Sequence, residues 1–114
     1  MKDCIFCKIA KGEISAEKIY ENSNFFSIPD AHPKTEGHTL IISKKHFGNI
    51  LEVPSIMGAD FLNCVKGTAL RLMKKYNAEG FNLLNNNFEA AGQIVPHFHA
   101  HILPRKNGDE IEFY

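Results

Sequence analysis

The stretch Val95-Pro96-His97-Phe98-His99-Ala100-His101-Ile102-Leu103 decides how this chain is to be read, because histidine recurs at every second position of an otherwise strand-like run. Side chains on a strand alternate between faces, so His97, His99 and His101 share one face while Phe98, Ala100 and Ile102 share the other. The apolar face is suited to a core. The imidazole face is not a choice that burial alone would make: neighbouring imidazoles raise each other's cost of protonation, and each ring nitrogen needs a partner. Such a row suits metal binding, nucleophilic or acid/base chemistry, or capture of an anion. A purification tag does not fit, since apolar residues interrupt the row and more chain follows it.

Working outward, 114 residues with 44% apolar and 23% charged side chains predict one domain, residues 1–114, able to fold without disulfide staples. The formal net charge is zero, so no global field is available to hold DNA or RNA, and no basic helix suggests a nucleic-acid module. No uninterrupted apolar segment reaches membrane-spanning or secretory length, which makes a cytoplasmic location without a membrane partner the expectation. Three cysteines, an odd count, argue against a disulfide framework. Cys64 falls in a helical pattern as a small buried hydrophobe. Cys4 and Cys7 form a Cys-x-x-Cys pair with open readings: a redox motif, half of a zinc site completed by histidines, or two thiols packed in a first helical turn.

The remaining pattern predicts an α+β domain. A short helix spans Cys4 to Ala10, ended by Gly12. Strands at Lys18 to Glu21 and Phe25 to Ile28 flank the turn Asn22-Ser23-Asn24, and a proline-rich loop runs to Gly37. His38 to Ser43, with Leu40-Ile41-Ile42, reads as a central strand. One long helix starts near Ser55 as N-cap, and Met57, Phe61, Cys64, Val65, Ala69, Leu72, Met73 and Tyr76 form its apolar stripe. Gly80 to Asn85 makes a fourth strand, and a polar loop, Asn86 to Gln93, leads to the histidine strand. The expectation is an antiparallel sheet with the helices on one face.

The loop ending Ala90-Ala91-Gly92-Gln93 offers a close backbone approach and a neutral amide donor to an oxyanion. A nucleophilic nitrogen, donors for oxygens and no catalytic carboxylate together point to phosphorus rather than carbonyl chemistry. At Gly92-Gln93-Ile94-Val95-Pro96-His97-Phe98-His99-Ala100-His101-Ile102-Leu103-Pro104-Arg105 the chain resembles the histidine-triad (HIT) nucleotide hydrolases and transferases. The likeness continues through Cys4-Ile5-Phe6-Cys7-Lys8-Ile9, Gly37-His38-Thr39-Leu40-Ile41-Ile42, Lys44-Lys45-His46 and Gly80-Phe81-Asn82, covering nearly the whole chain.

That resemblance implies a five-stranded antiparallel sheet, a homodimer that extends it, and attack on a nucleotide α-phosphate by His99 to form a nucleotidyl-histidine that water releases. It implies that His101 contacts the phosphate or leaving group, that His38 helps orient the nucleophile, and that Gln93 and the Gly92 amide region hold phosphoryl oxygens. Asp30 matches a position that binds the ribose diol, Asn86 one near phosphate or ribose, and Phe6 and Ile28 wall the base. Ile94 stands where many relatives place Ser or Thr. The same resemblance assigns a structural zinc to Cys4, Cys7, His46 and His97. The substrate expected first is a purine nucleoside phosphoramidate, a small-molecule nucleotide, and a dinucleoside polyphosphate comes second, with Arg105 and Lys106 as candidates for holding a polyphosphate tail. A nucleotidyl transferase or phosphorylase and a non-catalytic nucleotide-binding interaction protein are the remaining alternatives.

Overall fold

A computed structural model of the chain describes residues 3–112. The elements are α1 (Ile5–Ala10), β1 (Tyr20–Glu21), β2 (Phe25–Pro29), β3 (Thr39–Ser43), α2 (Gly58–Tyr76), β4 (Gly80–Leu84) and β5 (His99–Arg105). The strands form one antiparallel sheet in the order β1-β2-β3-β5-β4, with β3 at its centre. Every residue of β3 is buried, as its continuous apolar run requires.

Alternation along the strands sorts the core into two layers. Phe25, Ile41, Phe98, Ala100 and Ile102 meet Cys64, Val65, Ala69 and Leu72 of α2. A buried 2.8 Å hydrogen bond between Ser27 and Thr68 crosses the same layer. Phe26, Ile28, Leu40 and Ile42 point the other way and meet Phe6 and Ile9 of α1. The helices therefore lie on opposite faces, in contrast to the one-face arrangement that the sequence pattern predicts. β2 and β3 are apolar on both sides, so both faces need cover, and the short helix supplies the second.

The histidine strand is also shifted. It starts at His99, opposite Ile42, and extends to Arg105, beyond the expected Val95 to Leu103. Pro96 has no N–H to offer a ladder. His97 N–H folds back to the Val95 carbonyl at 2.8 Å, and Phe98 N–H goes to Phe47 O at 2.6 Å. Pro104 is accommodated because the pairing with β3 has already ended at Thr39 and Ile102.

Ser55 does not cap α2. Ser55–Met57 forms a 3-10 turn, and Met57, at the helix N-cap, makes no side-chain capping bond. The helix start is tied down by tertiary bonds instead: Asn22 donates to the Asp60 carbonyl and Asn24 to the Asp60 carboxylate, each at 2.8 Å. Gly67 is where the ring of Tyr20 crosses the helix, and a Cβ there would fall on that ring. Close packing thus outweighs the helix-propensity penalty of a mid-helix glycine.

Candidate active site

His99 opens β5 and is buried, held edge-on by the Phe6 ring with centroids 5.2 Å apart. Its Nδ1 lies 2.8 Å from the backbone carbonyl of His97. A carbonyl only accepts, so Nδ1 bears the proton and Nε2 keeps its lone pair. Among the described residues Nε2 has no hydrogen-bond partner. Asn85 Nδ2 donates to the His99 carbonyl at 2.9 Å, bracing the backbone of this residue from the end of β4.

His38 and His101 form a second, ordered pair. The Lys34 N–H donates to His38 Nδ1 at 3.1 Å, which leaves the His38 proton on Nε2. That proton points at His101 Nδ1, 3.0 Å away, with Asp30 Oδ2 as a longer contact at 3.4 Å. His101 Nδ1 is thereby an acceptor, and its Nε2 bears a hydrogen. Burial lowers the pKa of His38, outweighing the opposing Asp30 charge. Burial, then the neighbouring His99 and His38, brings His101 down to about 4. Both rings are neutral at neutral pH, as this chain of bonds demands. His38 was expected to orient the nucleophile; its bond is to His101, while the bond that orients His99 comes from the backbone. Asp30, His38 and His101 lie close enough to share a metal ion. The proton on His38 Nε2 occupies the lone pair that such an ion would need.

These groups open into a cavity of about 490 Å³, a size that suits a nucleotide-sized ligand. Phe6, Ile28, Asp30, His38, Asn86, Gly92, His99 and His101 all line it. Gln93 does not. Its Nε2 donates to Gly48 O at 2.6 Å and to Val95 O at 3.1 Å, and its Oε1 accepts from Phe88 N–H at 2.7 Å, so the side chain is a strap between loops. The Gly92 N–H is likewise engaged, donating to Glu89 O at 2.9 Å. The amides of Ile94 and Val95 have no partner among the described residues, and both residues line the cavity. The unpartnered amides of this loop thus sit one or two residues beyond the pair the glycine suggested. Lys34 also lines the cavity, and nothing in its spacing announced it. Arg105 does not, being forked onto Asp109 at 2.8 and 2.6 Å and onto Asn82 at 2.9 Å. Lys106 lines a separate cleft.

A further cluster is built around His97, two residues before His99. Cys4, the N-cap of α1, and Cys7, one turn on, bring their sulfurs to the two histidines: Cys4 Sγ is 3.2 Å from His97 Nδ1, and Cys7 Sγ is 3.3 Å from His46 Nδ1 and 3.6 Å from His97 Nδ1. All four ligand atoms fall within 4.8 Å of one another. A tetrahedral ion with bonds of ~2.0–2.3 Å places its donors roughly 3.3–3.8 Å apart, so the set fits zinc. The tautomer fits too. His97 Nε2 donates to Ser43 O at 2.7 Å, leaving Nδ1 unprotonated toward the sulfurs, the outer-sphere arrangement that orients a ligating imidazole. Burial lowers the pKa of His97 to about 4 and keeps it neutral.

The HIT domain profile matches residues 11–108. Adenylylsulfatase HINT3 of Arabidopsis thaliana is 41% identical over 107 residues, 94% of this chain and 54% of that protein. Adenosine 5'-monophosphoramidase HNT1 of Candida albicans is 40% identical over 108 residues, 91% of this chain and 71% of that protein. The crystal structure of a Zn-bound histidine triad family protein from Mycobacterium smegmatis aligns with a TM-score of 0.86 at 38% identity, covering 98% of this chain and 81% of that one.

Proposed function

This chain belongs to the HIT domain family, and from that premise we propose that it hydrolyses purine nucleotide conjugates at the α-phosphate, first among them nucleoside phosphoramidates, through a nucleotidyl-His99 intermediate. The observation that supports this most directly is the 2.8 Å bond from His99 Nδ1 to the His97 carbonyl, which leaves a lone pair on Nε2 at the cavity. In the first step that pair forms an N–P bond as the bond from phosphorus to the leaving atom breaks, its electrons going to the leaving group, which as an amine takes up a proton drawn from solvent. In the second, water attacks phosphorus, the N–P electrons return to Nε2, and the water's proton passes to solvent. The Ile94 and Val95 amides face charge on the phosphoryl oxygens, and His101 Nε2–H faces the leaving atom. Asp30 Oδ2, held only at 3.4 Å by His38, accepts from the ribose hydroxyls, and Ile28 supports the base.

Rapidly quenched wild type given labelled substrate should carry the label on His99, and His99→Ala should lose several powers of ten in turnover while still binding nucleotide. A normally active His99→Ala would end this reading. A transferase would reveal itself by phosphate or a sugar phosphate outcompeting water. The relatives named a monophosphoramidase and an adenylylsulfatase support hydrolysis over passive binding.

Cys4, Cys7, His46 and His97 would hold zinc in a closed four-ligand shell, whose contribution is structural and joins α1 to the residue whose carbonyl orients His99. Less than stoichiometric metal, not raised by added zinc, would remove that assignment. A homodimer completes the reading. Among the described residues strand β4 is an edge paired only with β5, and Phe81, Leu83, Leu62 and Leu70 stay 39–70% exposed on β4 and α2. Pairing two such edges would cover them. Sedimentation as a monomer at micromolar concentration would count against it.

A further inference from the structure

An acidic and a basic residue, Asp30 and Lys34, line the cavity. Asp30 is engaged: Oδ1 accepts from His32 N–H at 2.8 Å, and Oδ2 turns toward His38. Lys34 differs. Its backbone N–H is fixed to His38 Nδ1 at 3.1 Å, so its Cα stays next to the His38–His101 pair, while its ammonium has no carboxylate partner among the described residues. Lys34 lines the same cavity as His38 and His101, and the effect of its charge on both rings agrees with that placement. The two cations that follow the histidine row, Arg105 and Lys106, lie elsewhere.

Resting on the hydrolase reading above, we propose that Lys34 is a specificity-determining residue that admits substrates whose leaving group departs as an anion, such as a sulfate or phosphate joined to the α-phosphate. The two kinds of leaving group need different help. When a P–O bond to sulfate breaks, the oxygen keeps the electron pair and needs no proton, but it gains a negative charge that an ammonium neutralises. When a P–N bond breaks, the nitrogen must gain a proton to leave as an amine. That proton is drawn from solvent, with the His101 Nε2–H hydrogen bond steadying the nitrogen, and is returned when water attacks in the second step. Lys34 thus serves the anionic leaving group and His101 the amine.

The test is a crossover. Adenosine 5'-phosphosulfate and adenosine 5'-phosphoramidate are assayed with wild type, Lys34→Gln, Lys34→Arg and His101→Asn. Lys34→Gln should lower the phosphosulfate-to-phosphoramidate ratio of kcat/KM about tenfold, and Lys34→Arg should restore it to within about threefold. His101→Asn should move the ratio the opposite way. Added salt should weaken phosphosulfate turnover more than phosphoramidate turnover in wild type, and this difference should shrink in Lys34→Gln. Parallel losses on both substrates in Lys34→Gln, the signature of a loop that merely holds His38, would overturn the proposal. Hydrolysis of neither compound by wild type would overturn the hydrolase reading, and this inference with it.

Discussion

Gly37→Ala probes the loop that presents His38, and its cost can be assembled from separate contributions. Gly37 has φ +86, in the left-handed region. An L-residue there loses roughly 1–2 kcal/mol. The added Cβ would also lie 2.6 Å from Cδ2 of Tyr76 and 3.2 Å from Cγ of Pro104, and overpacking of this kind costs about 1–3 kcal/mol. Restricting the unfolded chain returns only ~0.4–1 kcal/mol. The net expectation is a loss of roughly 1–5 kcal/mol. Urea denaturation of wild type, Gly37→Ala, Tyr76→Leu and the double variant separates the causes, because the smaller side chain removes the clash and leaves the backbone penalty. A favourable coupling of about 1–3 kcal/mol is expected between the two substitutions. Turnover should fall as well, since the Gly37 carbonyl accepts from Thr39 Oγ1 at 2.8 Å and the next residue is His38. Stability within about 0.5 kcal/mol of wild type would refute the argument; a cost untouched by Tyr76→Leu would refute the clash.

Gly67→Ala should destabilise by about 1–3 kcal/mol because the Tyr20 ring occupies the space, although helix propensity alone favours Ala by ~1 kcal/mol; a rise in melting temperature would show that the ring moves aside freely. Gln93→Ala should lower stability by roughly 1–3 kcal/mol through its lost hydrogen bonds, with nucleotide affinity changing less than about threefold; titration calorimetry showing a large loss of affinity would restore Gln93 to the phosphate site. Burial holds His101 at about 4, against ~6.5 in the unfolded chain, so between those values the unfolded state binds the extra proton. That stability is present above pH ~6.5 and falls by up to roughly 3 kcal/mol as pH drops toward 4. His101→Gln should flatten the pH–stability curve across this window, and an unchanged slope would contradict the assignment.

The sheet was legible in the sequence because alternation and turn residues are local: β2, β3 and β4 fall within a residue or two of the expected bounds. The placement of α1 was not, because nothing within Phe6 and Ile9 says which side of a two-sided apolar strand they will cover. Gln93 looked like a donor because its position beside Gly92 is visible, whereas its partner Gly48 lies 45 residues away. The unpartnered amides of Ile94 and Val95 were hidden for a related reason: a free amide is defined by what the rest of the backbone fails to meet. The cysteines and histidines were legible as candidates, since their chemistry belongs to the side chain. Which nitrogen of each ring is protonated required the carbonyls and amides around it.

The carbonyl that fixes the proton of His99 belongs to residue 97, and no substitution there can delete it. Exchange of the His97 side chain strips a ligand from the sulfur cluster but leaves the oxygen in the chain. The tautomer of His99 is therefore shielded from direct genetic change. It can be reached only by displacing the turn from Val95 to His97 that Pro96 centres, so loss of the tautomer should arise from insertions, deletions and remote packing defects more readily than from point exchange at the contact itself.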